Sequence, residues 1–166
     1  MREIEARALT EEAFAPYGVF ADLIGPSDEN KIGEPPIEFY PDLVSLTLDT
    51  TNPAFSSLFI RRRPMVIDVT ERHHNTGEGI LPLNGPVVIH VGPPGDTPPL
   101  DQIEAFLVPA GTQVVLRPGI WHHAPFTVGN HPVAIQIALP PETYRRDCEA
   151  VILGSDQQIS IVMAML

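Results

Sequence analysis

The sequence predicts an all-β protein, a sandwich or barrel of short strands. Its 166 residues include 19 prolines and 12 glycines, while apolar residues still make up 43%. That composition is typical of many short strands joined by tight turns. Apolar, β-branched runs recur with turn signals roughly every 8–12 residues, and only one stretch carries convincing helix signals. A chain of this length buries roughly 70% of its unfolded surface, and we expect one domain over residues 1–166.

The N-terminal third begins with a predicted edge strand at residues 4–8. A short helix then starts after Thr10, which is a good N-cap residue, and two glutamates favour the positive end of its dipole. Pro16 ends this helix. A strand is predicted at residues 19–24, followed by an irregular loop at residues 25–41, which contains Gly-Pro, Ser-Asp and Pro-Pro pairs.

The remaining strands are predicted from alternating or β-branched apolar runs. Residues 133–139 alternate regularly, as a half-buried strand does. Residues 141–166 are expected to form a C-terminal extension that packs on the barrel and opens with one helical turn at residues 141–144. The other predicted strands are at residues 43–48, 55–60, 65–69, 86–91, 103–108, 113–116 and 158–165.

Charge and cysteine content limit the classes of partner. The formal net charge of -11, from 21 acidic and 10 basic residues, argues against nucleic acid, because phosphate contacts need a basic face. A small anionic substrate remains compatible, since one arginine in a pocket can bind it locally. Cys148 is the only cysteine, which excludes an internal disulfide and fits a reducing compartment. With no leader and no long apolar run, we expect a cytoplasmic protein without a membrane partner.

Two polar segments, residues 70–79 and 117–126, hold four of the six histidines. In an extended strand, residues i and i+2 point to the same side. Glu71 and His73 are therefore expected to face one way, and Arg72 and His74 the other. After the turn at residues 75–77, Glu78 can return to meet the first pair.

The second segment is expected to supply another imidazole. We favour His122 as the inward residue, and His123 as a residue that hydrogen-bonds nearby. Two imidazoles and one or two carboxylates make an octahedral or facial site for nickel, manganese, iron or zinc. The alternative is that these are surface polar residues of an acidic protein. His90 and His131, away from both segments, are interpreted as structural or exposed.

Several segments of the chain resemble the ureidoglycolate lyase family. They are residues 9–18 (LTEEAFAPYG), 71–73 (ERH), 82–85 (PLNG), 108–111 (VPAG) and 119–126 (GIWHHAPF). The resemblance implies a cupin-type barrel, a homodimer and an associated divalent metal such as nickel. It also implies cleavage of ureidoglycolate into glyoxylate and urea, late in purine breakdown.

The general cupin pattern, compared separately, selects His73, Glu78 and His122 as metal ligands, with Glu71 replacing a histidine. The chain departs from the lyase family at Glu78, where that family usually has Gln. The family's early Ile-Asn-x-Gly segment and its Asp-Arg-Gly stretch after the Trp-His-His strand are not visible here.

The chemistry implied for such a substrate requires a base, an acid and a binding group for a carboxylate. Glu78 or Glu71 is the candidate base, and His122 or His123 the candidate acid. Substrate binding is assigned to Arg61, Arg72 and Trp121, the guanidinium of Arg61 being suited to grip a carboxylate. The alternatives are a solvated strand end for Arg61 and a surface salt bridge for Arg72. Two rival functions also remain: a cupin isomerase, hydrolase or dioxygenase, and a non-catalytic cupin that binds a small acid.

Overall fold

The computed structural model describes residues 1–27 and 29–164. Asp28 of the predicted loop, and Met165 and Leu166 of the predicted C-terminal extension, lie outside these residues. Within the described part the chain forms two short helices and fourteen strands. The helices are α1 (Glu11–Phe14) and α2 (Thr143–Arg146). The strands are β1 (Arg2–Ala8), β2 (Gly18–Asp22), β3 (Ala54–Ile60), β4 (Val66–Ile67), β5 (Val69–Arg72), β6 (Glu78–Pro82), β7 (Val87–Gly92), β8 (Glu104–Val108), β9 (Thr112–Leu116), β10 (Trp121–His122), β11 (Phe126–Thr127), β12 (Val133–Leu139), β13 (Glu149–Ile152) and β14 (Ile159–Met163).

These strands form two sheets. The larger has nine strands in the order β13-β5-β10-β7-β8-β1-β14-β4, with β11 also paired to β7. The smaller has five, in the order β2-β9-β6-β12-β3. Both sheets are curled. The predicted all-β fold with a short N-terminal helix is confirmed, and α2 adds a second short helix.

Hydrophobic side chains from both sheets form the main core. Ile89 and Phe106 come from the larger sheet and Val114 and Ile135 from the smaller, and each is at most 1% exposed. Val88, the neighbour of Ile89 on β7, packs instead into a second cluster. Both faces of β7 are therefore packed in the interior.

The predicted N-terminal helix is confirmed as α1. The Thr10 hydroxyl accepts a hydrogen bond from the Ala13 backbone N–H at 3.3 Å, as an N-cap residue does. Phe14, at the end of the helix, is fully buried, and its ring centroid lies 5.4 Å from that of Phe106. The cap fixes where the helix begins, and the Phe14 side chain anchors it to the core.

Two predictions of strand position were wrong, and three strands were not predicted. The strand predicted at the sheet edge is interior, because β1 pairs in parallel with both β8 and β14. Residues 43–48 alternate but form no strand; the Thr47 carbonyl accepts one hydrogen bond from the Gly77 N–H at 2.7 Å, without a continuing ladder. β6, β11 and β13 were not predicted, and in β6 Gly79 and Pro82 obscure the strand pattern.

The C-terminal segment is part of the larger sheet. β13 pairs antiparallel with β5, bringing Ala150 opposite Glu71, and β14 pairs with β1 and β4. This pairing places the residues just before β13 beside the strand that carries Glu71. Among the described residues, no helix combines the length and apolar character needed to cross a membrane.

Candidate metal centre

Three neighbouring strand segments bring the predicted ligands together. On adjacent strands of the larger sheet, Glu71 of β5 lies directly opposite His122 of β10. His73 follows the last residue of β5 and so points to the same side as Glu71. Glu78 is the first residue of β6, in the smaller sheet. The cluster therefore lies between the two sheets, with ligands from both walls.

The distances within this cluster are short. The Nε2 atoms of His73 and His122 lie 3.1 Å and 2.8 Å from Oε2 of Glu78. One ligand atom from each of Glu71, His73 and His122 lies within 4.8 Å of the others. All four side chains are buried, the most exposed being Glu71 at 8%. Burial of so many polar groups is costly unless each has a charged or hydrogen-bonding partner.

Backbone carbonyls fix the protonation of both imidazoles. Nδ1 of His73 lies 2.8 Å from the Asp147 carbonyl oxygen, and Nδ1 of His122 lies 2.8 Å from that of Ile120. A carbonyl oxygen only accepts, so each Nδ1 carries the proton and donates. In a neutral ring, Nε2 then has a lone pair directed at the Glu78 carboxylate, which also only accepts. These lone pairs repel one another. A positive charge between them, carried by a proton on an imidazole or by a metal ion, removes that repulsion.

The electrostatics of the cluster agree with that requirement. Burial tends to raise the pKa of Glu78, but the charges and hydrogen bonds of His122 and His73 outweigh it and lower the pKa to about 2. Burial tends to lower the pKa of His122, but Glu78 and, less strongly, Glu71 outweigh it and raise the pKa. The cluster stabilises positive charge between its carboxylates. Two imidazole nitrogens and a carboxylate oxygen are also ligands that suit nickel, iron, manganese or zinc.

A cavity of about 110 Å³ opens beside this cluster. Its polar lining is formed by Glu71, Glu78, His122 and His123, together with the Tyr144 side chain. The apolar lining is Leu58, Ile80, Ala124, Pro125 and Ile137. Pockets for drug-sized ligands usually have volumes of about 300–1,000 Å³, so this one suits a metabolite of few atoms.

His123 lies at the cavity beside the cluster rather than within it. It is half-buried and lines the cavity wall. Burial lowers the pKa of His123; Glu71 acts in the opposite direction, and the charges of Arg63 and His122 add to the lowering. Its imidazole is therefore neutral near pH 7, and is suited to take up or pass on a proton.

The three residues predicted to bind substrate do not line this cavity. Arg61 is exposed just beyond the end of β3. Arg72 points away from Glu71 and forms an ion pair with Glu149 at 2.9 Å. This is the surface salt bridge that the sequence offered as the alternative to substrate binding. The fully buried Trp121 indole lies 4.8 Å from the Arg72 guanidinium and donates to the Gly95 carbonyl at 3.2 Å. Strand alternation turns both away from the cavity.

The C-terminal segment supplies several contacts that sequence reasoning missed. The Asp147 carboxylate accepts hydrogen bonds from the N–H groups of His74 at 2.8 Å and Asn75 at 2.9 Å. The Cys148 thiol donates to Oε2 of Glu71 at 3.5 Å, and burial, with the carboxylate of Glu71, raises its pKa to about 12. Such a thiol is protonated, consistent with the interpretation of Cys148 as a small, partly buried side chain.

Tyr144 also approaches the cluster, with its ring edge-on to His73 at 5.8 Å between centroids. No local pattern in the sequence could identify these C-terminal residues, because they reach the site only through the pairing of β13 with β5.

His90 is linked to the site through Thr70. The Thr70 hydroxyl donates to the His122 carbonyl at 3.3 Å, and it accepts from Nε2 of His90 at 3.2 Å. Burial lowers the pKa of His90 well below its usual value, so the ring is neutral. This agrees with the structural role expected for it, and His131 is exposed as expected.

Comparisons with known proteins identify similar chains. A profile of a family described as ureidoglycolate lyase matches residues 1–160. Ureidoglycolate lyase from Azotobacter vinelandii is 34% identical over 128 residues, covering 74% of this chain and 76% of that protein. The Rhodobacter capsulatus enzyme of that name is 35% identical over 126 residues, covering 74% of this chain and 77% of its own.

Among solved structures, Bacillus subtilis oxalate decarboxylase matches 61% of this chain with a TM-score of 0.42 and 18% identity. This chain covers 24% of that decarboxylase chain.

Proposed function

Because the chain belongs to the ureidoglycolate lyase family, we propose that it is a metal-assisted C–N lyase that releases glyoxylate and urea from ureidoglycolate. The observation that carries this proposal is the convergence of Glu71, His73, Glu78 and His122 beside a cavity of about 110 Å³. The cavity suits a small acid, and the cluster combines metal-ligand and proton-accepting chemistry.

Glu71, His73 and His122 are the residues that would hold the metal. Their ligand atoms lie within 4.8 Å of one another, and both histidines donate through Nδ1 to backbone carbonyls, which directs Nε2 inward. When bound, a divalent ion supplies a positive charge that lowers the pKa of the substrate hydroxyl and attracts its carboxylate. Nickel, manganese, iron and zinc all suit this donor set.

The charges in the cavity support a cation at this position. Two carboxylates, Glu71 and Glu78, line it, and no arginine or lysine is among its described lining residues. Negative charge on these side chains would repel an anionic substrate, and more strongly in a site of low dielectric constant. Binding of a small anion therefore depends on the positive charge that the cluster stabilises.

The proton transfers are assigned to the two cavity groups outside the ligand triad. Glu78 is ionised and accepts the proton of the carbinol hydroxyl. As the C–N bond breaks, the carbinol carbon becomes the aldehyde of glyoxylate and the bonding pair stays on the urea nitrogen. The neutral His123 ring relays a proton to that nitrogen, accepting one at one ring nitrogen as it donates from the other. The proton lost by the hydroxyl is thus balanced by the proton that the urea nitrogen gains, so the reaction needs no co-reactant.

A coupled glyoxylate assay tests the proposal. Purified protein is assayed with ureidoglycolate before and after chelation, and again after nickel or manganese is restored. We expect glyoxylate release that falls on chelation and returns with metal, and that is abolished in His73→Ala and Glu78→Ala. His131→Ala, at an exposed histidine away from the site, is the matched control and should keep the wild-type rate.

Each rival function predicts a different result. Binding of ureidoglycolate without glyoxylate release would identify the non-catalytic small-acid-binding cupin. Conversion to another product would identify a different cupin enzyme, such as an isomerase, hydrolase or dioxygenase.

The assembly of the chain and its location in the cell are also part of what we propose. We propose a cytoplasmic homodimer that takes part in purine breakdown; the lone cysteine supports the reducing compartment, and the family resemblance supports the dimer. Light scattering on the purified protein, giving the mass of two chains or of one, tests the dimer.

A further inference from the structure

A second and larger cavity adjoins the one at the metal centre. It has a volume of about 470 Å³ and lies between β3, β12 and the segment that carries α2. Three of its lining residues, Leu58, Ile137 and Tyr144, also line the small cavity. The surface of this cavity as a whole is mainly apolar, and two of its polar lining residues, Glu142 and Arg145, pair with each other at 2.6 Å. The two spaces are therefore neighbours that share a wall.

The Tyr144 side chain is the large element of that shared wall. Its ring contacts His73 edge-on at 5.8 Å, with an angle of 89° between the ring planes. The side chain is still 62% exposed. One part of the side chain therefore faces the metal centre, and the other faces the larger cavity.

The backbone around Tyr144 is held at both ends of α2. The buried Thr143 hydroxyl donates to the Pro140 carbonyl at 2.6 Å, and the Asp147 N–H donates to the Thr143 carbonyl at 2.8 Å. The Asp147 carbonyl in turn accepts from Nδ1 of His73. The helix that carries Tyr144 is thus tied to one of the proposed ligands, and its position is fixed relative to the site.

We propose that Tyr144 determines the size of the substrate, by closing the small cavity on the side where an N-substituent of the ureido group would extend. The inference rests on the proposed function. The substrate carboxylate and hydroxyl are drawn to the cluster of Glu71, His73 and His122. The urea end then lies toward Leu58, Ile137 and Tyr144, the residues that line both cavities.

The two volumes explain why this residue matters. A space of about 110 Å³ leaves no room for an alkyl chain on the distal urea nitrogen. The adjoining space of about 470 Å³ is apolar enough to take one. Each methylene that a pocket accepts or rejects changes selectivity by about tenfold or more. A side chain that separates the two spaces therefore decides between ureidoglycolate and its N-alkyl homologues.

The test compares ureidoglycolate with its homologue that carries a butyl group on the distal nitrogen. For wild-type protein and Tyr144→Phe, which keeps the ring, we expect kcat/KM for the butyl compound to be at least about tenfold lower than for ureidoglycolate. Tyr144→Ala and Tyr144→Val should remove that difference. Arg145→Ala, which alters the larger cavity alone, is the matched control and should keep the wild-type ratio.

A binding measurement separates this inference from the proposed lyase activity. Ureidoacetate and its N-butyl derivative lack the hydroxyl, cannot be cleaved, and can be titrated by calorimetry. We expect wild-type protein to bind the butyl compound at least about tenfold more weakly, and Tyr144→Val to bind both alike. Unchanged discrimination in the Ala and Val variants, or its loss in Tyr144→Phe, overturns the role of the ring. If the protein releases no glyoxylate but still binds the N-butyl compound more weakly than ureidoacetate, only the lyase assignment is refuted.

Discussion

Replacing Glu78 by glutamine separates its role as a base from a role as a metal ligand. The carboxylate is 4% exposed, and its Oε2 lies 3.1 Å and 2.8 Å from two imidazole nitrogens. Glutamine has nearly the same shape but cannot accept a proton. A general base contributes about 10²–10⁴-fold to rate, equivalent to about 3–5 kcal/mol in the activation barrier. We expect glyoxylate release to fall by that factor.

The same variant should keep its metal, because Glu71, His73 and His122 remain. Metal content per chain, measured after dialysis against trace nickel, is expected to match the wild type, while the glyoxylate assay gives the loss in kcat. Glu149→Gln is the control, since Glu149 lies on the outer face of the sheet and pairs with Arg72.

Two results would refute the assignment of Glu78. The family resemblance places glutamine at this position, so a Glu78→Gln variant with the wild-type rate would show that another group, such as Glu71 or His123, is the base. Loss of metal together with activity would show that Glu78 is a ligand.

Three further predictions concern the ligands and the scaffold around them. Nickel at about 100 times its dissociation constant should stabilise wild-type protein by about 2.7 kcal/mol, raising Tm by about 5–11 °C in thermal unfolding, but should leave His73→Ala almost unchanged. Asp147→Ala should lower the free energy of unfolding in urea by about 2 kcal/mol, because two backbone N–H groups lose a charged acceptor. Trp121→Phe should cost about 1 kcal/mol of stability while KM for ureidoglycolate stays unchanged, since the indole N–H bonds a backbone carbonyl outside the cavity.

Each of these predictions has a contrary outcome. An equal nickel-dependent shift in His73→Ala would place the ion elsewhere. Asp147→Asn, which keeps one acceptor oxygen, should lose less stability than Asp147→Ala, and equal losses would discount the hydrogen bonds. A rise in KM for ureidoglycolate in Trp121→Phe would show that the indole contacts the substrate.

Regular alternation made much of the fold predictable. Residues 133–139 were predicted as a strand and form β12 with the same bounds, because every second side chain there is buried in the core. Residues 43–48 alternate equally well but form no ladder with a neighbouring strand, and alternation alone cannot report a missing partner. β6 escaped prediction because its pairing with β9 and β12 overrides the weak strand preference of Gly79 and Pro82.

The two-residue period of a strand also predicted part of the site. Spacing on one strand face predicted that Glu71 and His73 lie together, and the antiparallel register adds His122. The alternation of side chains along a strand also explains the positions of Trp121 and Arg72. Each is adjacent to an inward-facing residue and therefore points outward. Tyr144 depends on contacts between segments about 70 residues apart in the chain, which no local pattern encodes.

The central claim is that Glu71, His73 and His122 bind one metal ion beside the substrate cavity. Anomalous diffraction from crystals of nickel-loaded protein, recorded on both sides of the nickel absorption edge, tests it directly. We expect a single strong peak about 2.0–2.2 Å from Nε2 of both histidines and from a Glu71 oxygen. A peak bound by other residues, or a fully loaded protein whose peak excludes Glu71, would contradict the claim.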